Sequence, residues 1–122
     1  ATLPALGKAV HLPFPEDNKD NWIYVEDCAE QMIKLALKEK LNHFVYNTGS
    51  ETVSGKELAD IIKQIIPNAQ ITFDNNAAYT PFIDEQDDRR IREEISFKPR
   101  TLKDGILAHM NEARRANNLP EL

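Results

Sequence analysis

Residues 44–73 read FVYNTGSETVSGKELADIIKQIIPNAQITF, and the change of pattern within this stretch decides the fold class. Phe44-Val45-Tyr46-Asn47 has the aromatic and β-branched content of a strand, and Thr48-Gly49-Ser50 supplies a turn to end it. Ser54-Gly55-Lys56-Glu57 has capping-box spacing, in which the serine hydroxyl satisfies an orphan amide and the glutamate reaches back. Leu58, Ile61, Ile62 and Ile65 then recur at i, i+3, i+4 and i+7, the apolar stripe of a helix that Pro67 stops. Gln70 to Phe73 reads as a second strand. A strand–helix–strand unit places parallel strands side by side, which is the signature of the α/β class.

The flanks extend the pattern. Upstream, Ala9 to Leu12 suggests a short strand that Pro13 and Pro15 cannot continue, and residues 16–21 form an acidic, polar loop. Trp22-Ile23-Tyr24-Val25 reads as a strand or extended entry, with Asp27 as the expected cap of the next helix. In that helix Ala29, Met32, Ile33, Ala36 and Leu37 share one apolar face. Downstream, Asp74 to Asp87 is irregular, and Arg89 to Ile95 suits a short helix. Thr101 and Asp104 resemble a second capping box, opening a helix that turns Leu102, Ile106, Met110 and Ala113 inward. The expectation is α/β: a small mixed domain with short parallel strands and about three to four helices. So few parallel strands are seldom covered by their own helices, so partner strands are expected outside this chain.

Composition narrows the function classes. The chain has 122 residues, enough for one ordinary domain or a piece of a larger one. Its net charge of −5 argues against non-specific nucleic-acid binding, which needs a basic face. No apolar run approaches the ~20 residues of a membrane span. Pro4 and Gly7 break any apolar leader, so no secretory leader is expected. The one cysteine, Cys28, excludes an internal disulfide and fits a reducing cytoplasm. Cys28 follows a helix start, where packing outweighs a reactive thiolate as its role. His11, His43 and His109 share no metal-ligand spacing. The acidic run Asp84, Glu85, Asp87, Asp88 lacks an EF-hand's glycine and closing glutamate, so it reads as a solvated loop.

Four segments together resemble a known family. Trp22-Ile23-Tyr24-Val25-Glu26-Asp27-Cys28-Ala29 is similar to an aromatic-x-Tyr/His-Val-x-Asp-x-Ala motif. Val45-Tyr46-Asn47-Thr48-Gly49 is similar to a Val-Tyr/Phe-Asn-x-Gly strand and turn, and Ser54-Gly55-Lys56-Glu57-Leu58-Ala59 to a Ser-x-x-Glu-Leu-Ala helix start. The last runs from Asp88 through Ile95-Ser96-Phe97-Lys98-Pro99 to Leu102 and Gly105-Ile106, similar to Asp…Leu-Gly-Trp/Phe-x-Pro…Leu-x-x-Gly-Ile. In this order they resemble the C-terminal part of the extended short-chain dehydrogenase/reductases, the NAD-dependent epimerase/dehydratase family. Each segment has a scaffold role of its own as cap, turn or core position, so the resemblance bears on fold more than on reaction.

The resemblance implies a Rossmann-type enzyme using NAD or NADP, with hydride transfer at the nicotinamide and a Tyr-x-x-x-Lys pair handling the proton. The sequence holds neither part of that machinery. Gly7, Gly49, Gly55 and Gly105 do not have the spacing of a dinucleotide turn. Tyr24, Tyr46 and Tyr79 are followed four positions later by Cys28, Ser50 and Ile83. Residues 1–122 are therefore expected to be a single C-terminal substrate-binding portion, binding no cofactor alone, with the dinucleotide-binding domain upstream. The Phe44 to Asn47 strand would join that missing sheet. Expected partners are the missing domain and a sugar or carbonyl substrate, with self-association possible through an exposed strand edge. No membrane partner is expected.

Substrate-facing residues are sought in the Pro13–Trp22 loop and the Tyr79–Arg90 segment, since binding residues concentrate in loops. Phe14, Trp22 and Tyr79 are the aromatic choices, each weighed against simple packing. Arg89 and Arg90 suit an anion clamp, or ion pairs with Asp87, Asp88, Glu93 or Glu94. The Arg-Asp that often precedes the first motif's aromatic in nucleotide-sugar epimerases is Asp20-Asn21 here, and residues 74–87 contain no arginine. That points toward a less charged sugar or carbonyl compound. Two other readings stay open: a non-catalytic NAD(P)-sensing or protein-interaction module of the same fold, and an independent small α/β binding module.

Overall fold

The computed structural model describes residues 1–49, 51–81 and 85–122. Ser50, from the expected turn, and residues 82–84, from the irregular segment, lie outside the described residues. The order is α1 (Thr2–Ala5), β1 (Val10–Leu12), β2 (Lys19–Trp22), α2 (Val25–Ala36), β3 (Glu51–Ser54), α3 (Gly55–Ile65), β4 (Ile71–Phe73), α4 (Arg89–Ile95) and α5 (Leu102–Ala116). The α/β class expected from the pattern is the class observed. Two short ladders replace a single sheet: β1 pairs β4 in parallel, Val10 opposite Ile71, and β2 pairs β3 antiparallel, Lys19 opposite Ser54.

Local chemistry sets the strong helices. Ser54 Oγ accepts from the Glu57 amide at 3.2 Å, and Glu57 Oε2 accepts from the Ser54 amide at 2.7 Å, a complete capping box on α3. Thr101 caps α5 by accepting from the Asp104 amide at 3.2 Å. The stripes of both helices meet where predicted. Ile62 of α3 joins Leu102, Ile106 and Met110 of α5, with Ala5 of α1, as the buried core.

The second flank departs from the sequence reading in three ways. Asp27 does not cap α2; the helix begins two residues earlier, after an extended Tyr24. Asp27 is buried instead, and its carboxylate accepts from the backbone amide and Nε of Arg100, each at 2.9 Å. Trp22 ends a strand that starts at Lys19 rather than opening one, because β2 pairs with a strand over Glu51–Ser54 that the sequence did not reveal. Phe44–Asn47 forms no strand, and the Phe44 side chain is fully exposed. A strand exists only where a ladder partner accepts its amides, and among the described residues none lies beside it.

The apolar face of α2 is also turned around. Met32, Ile33 and Leu37 are exposed, and the buried residues of this helix are Asp27 and Gln31. With Phe44 and Val45, they leave bare apolar side chains on both α2 and the chain that follows it.

Candidate functional site

A cavity of about 400 Å³ opens between α3, α5 and the β1–β4 pair. Val10 and Leu12 of β1, Leu58 and Ile62 of α3, and Leu102 and Ile106 of α5 form its apolar walls. Phe14 and Trp22, two of the predicted site residues, both line it, with Tyr24 and His109. Phe14 packs on Phe73, their ring centres 6.3 Å apart. Gly55 allows this approach: a Cβ there would stand 2.8 Å from the Phe73 ring and 3.3 Å from that of Phe14. Volume and lining are those of a small-molecule pocket.

Next to the cavity, two loops far apart in sequence are stitched together. Tyr79 donates its hydroxyl to Asp17 Oδ2 at 2.8 Å. The buried Asn18 accepts from the Thr80 amide at 2.8 Å and donates to Thr80 Oγ1 at 2.9 Å. The Glu16 amide donates to Asn75 Oδ1 at 2.9 Å. These contacts join the Pro13–Trp22 loop to residues 75–80, of which Tyr79 and Thr80 begin the Tyr79–Arg90 segment that the sequence reading picked out. The Asp17 hydrogen bond, then burial, raises the Tyr79 hydroxyl above the ordinary phenol range, so it stays a protonated donor. Trp22 and Tyr79 keep 37% and 61% of their surface exposed, enough to meet a ligand.

The cations are placed differently. Arg89 is exposed and forks onto Asp87, Nε at 2.9 Å and a terminal nitrogen at 2.6 Å. Hydrogen bonds from the Arg89 side chain and then its amide hold the Asp87 carboxyl down at about 2. Arg90 is exposed beside it. Of the two expectations for Arg89, pairing with Asp87 is the one observed.

Two carboxylates that the sequence reading gave no such role organise the frame. Glu94, buried on α4, accepts from Lys38 Nζ, from the Tyr46 hydroxyl at 2.8 Å, and from the Asn42 amide and side chain at 3.1 and 3.2 Å. The Lys38 hydrogen bond leads in holding Glu94 down at about 2, against the opposing effect of burial. Its position three residues after the buried Ile91 was the available signal, since i and i+3 share a helix face. Asp27 fixes the start of α2 to Arg100, whose guanidinium lies 4.5 Å from the Tyr24 ring centre. Tyr24 and Arg100 both line the cavity, so this pair forms part of its wall.

Among the described residues no group of three or more histidine, cysteine or acidic side chains could hold a metal ion. No helix there is long and apolar enough to cross a membrane.

No family model and no curated protein sequence matches this chain. Solved structures do match its fold. L-threonine 3-dehydrogenase from Trypanosoma brucei superposes with a TM-score of 0.79 at 20% identity, covering 99% of this chain and 40% of the enzyme. L-threonine dehydrogenase from Cupriavidus necator gives 0.74 at 21% identity, covering 89% and 42%. UDP-glucuronic acid 4-epimerase from Bacillus cereus, in complex with UDP-glucuronic acid and NAD, gives 0.75 at 16% identity, covering 94% and 38%. The chain therefore has the fold of a part of these enzymes and spans about 40% of the length of the first of them.

Proposed function

We propose that this chain is the substrate-binding C-terminal portion of an NAD(P)-dependent epimerase, dehydratase or dehydrogenase of the extended short-chain type, catalytic only with an upstream dinucleotide-binding portion. The observation that carries this reading is the match of 99% of the chain to 40% of a dehydrogenase. It is supported by the bare apolar side chains on α2 and at Phe44–Val45, which suit a neighbouring layer of protein. NAD or NADP would supply the hydride acceptor or donor from the upstream portion. This chain would supply one wall of the cleft: Trp22 and Tyr79 as exposed aromatic surfaces, Arg89 and Arg90 as cations at its edge, and Phe14 as the support of the first loop.

Charge favours a substrate with few anionic groups. A nucleoside diphosphate needs cationic clamps, and Arg89 is already engaged by Asp87. A hydroxy or carbonyl compound, such as the L-threonine of the trypanosomal neighbour's name, fits this wall better than a nucleotide sugar. The test is steady-state turnover by the whole protein with NAD and NADP, on a panel of hydroxy acids, hydroxy amino acids and UDP-sugars. Turnover by the whole protein but not by these 122 residues is expected, with Tyr79→Phe and Trp22→Ala raising KM. Nicotinamide binding without turnover of any compound would favour the sensing module, and turnover by this chain alone would overturn the reading.

A further inference from the structure

The segment that carries Tyr79 is tied to the helical frame through one buried side chain, Asn18. The backbone around Asn18 is fastened to the start of α3. The Gly55 amide donates to the Asn18 carbonyl at 2.9 Å, and the Lys56 amide to the Glu16 carbonyl at 2.7 Å. Both are first-turn amides, which a helix leaves without acceptors of its own. The Asn18 amide donates to the Pro15 carbonyl at 3.1 Å, which closes a turn. The Asn18 side chain serves a different segment. Its oxygen accepts from the Thr80 amide at 2.8 Å and from the Thr80 hydroxyl at 3.1 Å. Its nitrogen donates to Thr80 Oγ1 at 2.9 Å and to the Lys19 carbonyl at 3.3 Å. These four bonds use the full capacity of a carboxamide. Tyr79, the residue before Thr80, is held to Asp17 by an exposed hydrogen bond. Water competes for that bond. Breaking the Asn18–Thr80 set would strand buried polar groups, so it is the stronger of the two restraints.

We infer that Asn18 is a positioning residue: through Thr80 it locks Tyr79 in place on the substrate wall, and so sets how tightly substrate binds. The inference rests on the reading of Tyr79 as a substrate-facing residue. The geometry accounts for an asparagine here. Aspartate would still accept from the Thr80 amide, but it would turn a second oxygen toward Thr80 Oγ1 and the Lys19 carbonyl, where two donated bonds now stand. Alanine would release Thr80 altogether. The loss would fall on residues 79 and 80 and spare Trp22, which β2 places opposite Glu51 of β3.

Steady-state kinetics and amide exchange in the whole protein test this, with NAD or NADP and with L-threonine, L-lactate and UDP-glucuronic acid as the probes. Asn18→Ala is expected to raise KM about tenfold with kcat within about twofold. It should also speed exchange of the Thr80 amide by about tenfold or more. Thr80→Val removes only the hydroxyl partner and should raise KM by a smaller factor, and Thr80→Ser should restore it. This milder pair carries the test should Asn18→Ala fail to fold. In a Tyr79→Ala background, Asn18→Ala should add less than about twofold to KM, because both substitutions act through one side chain. A full further rise there would place the effect of Asn18 elsewhere and overturn the inference. Faster Thr80 exchange with an unchanged KM would leave Asn18 a purely structural residue and overturn it too. A protein that turns over none of the probes removes the enzymatic reading. Faster exchange at Thr80 in the variants then keeps Asn18 as the lock on Tyr79, and unchanged exchange overturns both.

Discussion

Two amphipathic helices of nearly equal length, α2 and α3, meet opposite fates in this molecule. The stripe of α3 packs inward: Ala59 and Ile62 are buried, and Ile62 joins the core residues of α5. The stripe of α2, made by Met32, Ile33 and Leu37, faces out, and Leu37 keeps 80% of its surface exposed. The buried residues of α2 are instead polar, Asp27 and Gln31; Asp27 is held to Arg100, and Lys38, just beyond the end of the helix, is held to Glu94. A buried carboxylate is costly unless paired, so these ion pairs fix the helix in one orientation rather than letting it roll its apolar stripe onto the core. The comparison teaches that the apolar pattern of α3 is satisfied within this chain, whereas that of α2 is left exposed, as the proposed neighbouring layer of protein would require.

Substitutions at matched positions should break or sharpen this contrast. Ile62→Ala should cost about 2–5 kcal/mol in chemical denaturation, in this chain and in the whole protein alike, because it opens a hole in a shared core. Ile33→Ala should stay within about 0.5 kcal/mol in the 122-residue chain, as exposed sites do. It should become clearly destabilising in the whole protein. Equal effects in both backgrounds would mean that α2 faces solvent in both.

Acid should separate the two sides next. The Glu94 carboxyl is lowered to about 2 from an ordinary value of 4.5. A depressed carboxyl contributes stability that is fully present above the unfolded value and lost as pH falls toward the folded one. The tie between α4 and residues 38–46 should therefore loosen between about pH 4.5 and pH 2. Near-ultraviolet signals from Tyr46 should report it, and Glu94→Gln should remove that part of the acid response. A modest effect belongs to the well-anchored side: Ser54→Ala, read by thermal denaturation, should cost about 1 kcal/mol through the lost cap on α3.

What could be read from the sequence follows the range of the interaction. Both capped helices and the β1 and β4 strands were legible because a cap, an apolar stripe or a β-rich run is written within a dozen residues. Phe44–Asn47 has the same local signature as a strand, yet among the described residues no ladder partner lies beside it, so the signature alone did not make one. β3 was missed for the converse reason: Glu51–Ser54 is a short stretch between the expected turn and the cap of α3, and it becomes a strand only by pairing with β2, about thirty residues away. Asp27 has the side chain of a cap, but its true partner is Arg100. At the site, loop position and aromatic character were enough to bring Phe14 and Trp22 to one cavity and Tyr79 to the adjoining loop. Arg89, by contrast, is drawn to the nearest carboxylate.

The central claim is that this chain is completed by an upstream dinucleotide-binding portion, and amide hydrogen exchange over Phe44–Asn47 tests it most directly. In the whole protein these amides should be protected as those of an internal strand, and in the isolated 122-residue chain they should exchange freely. Free exchange in the whole protein as well would contradict the account, leaving this segment and the apolar face of α2 without the partner they are proposed to have.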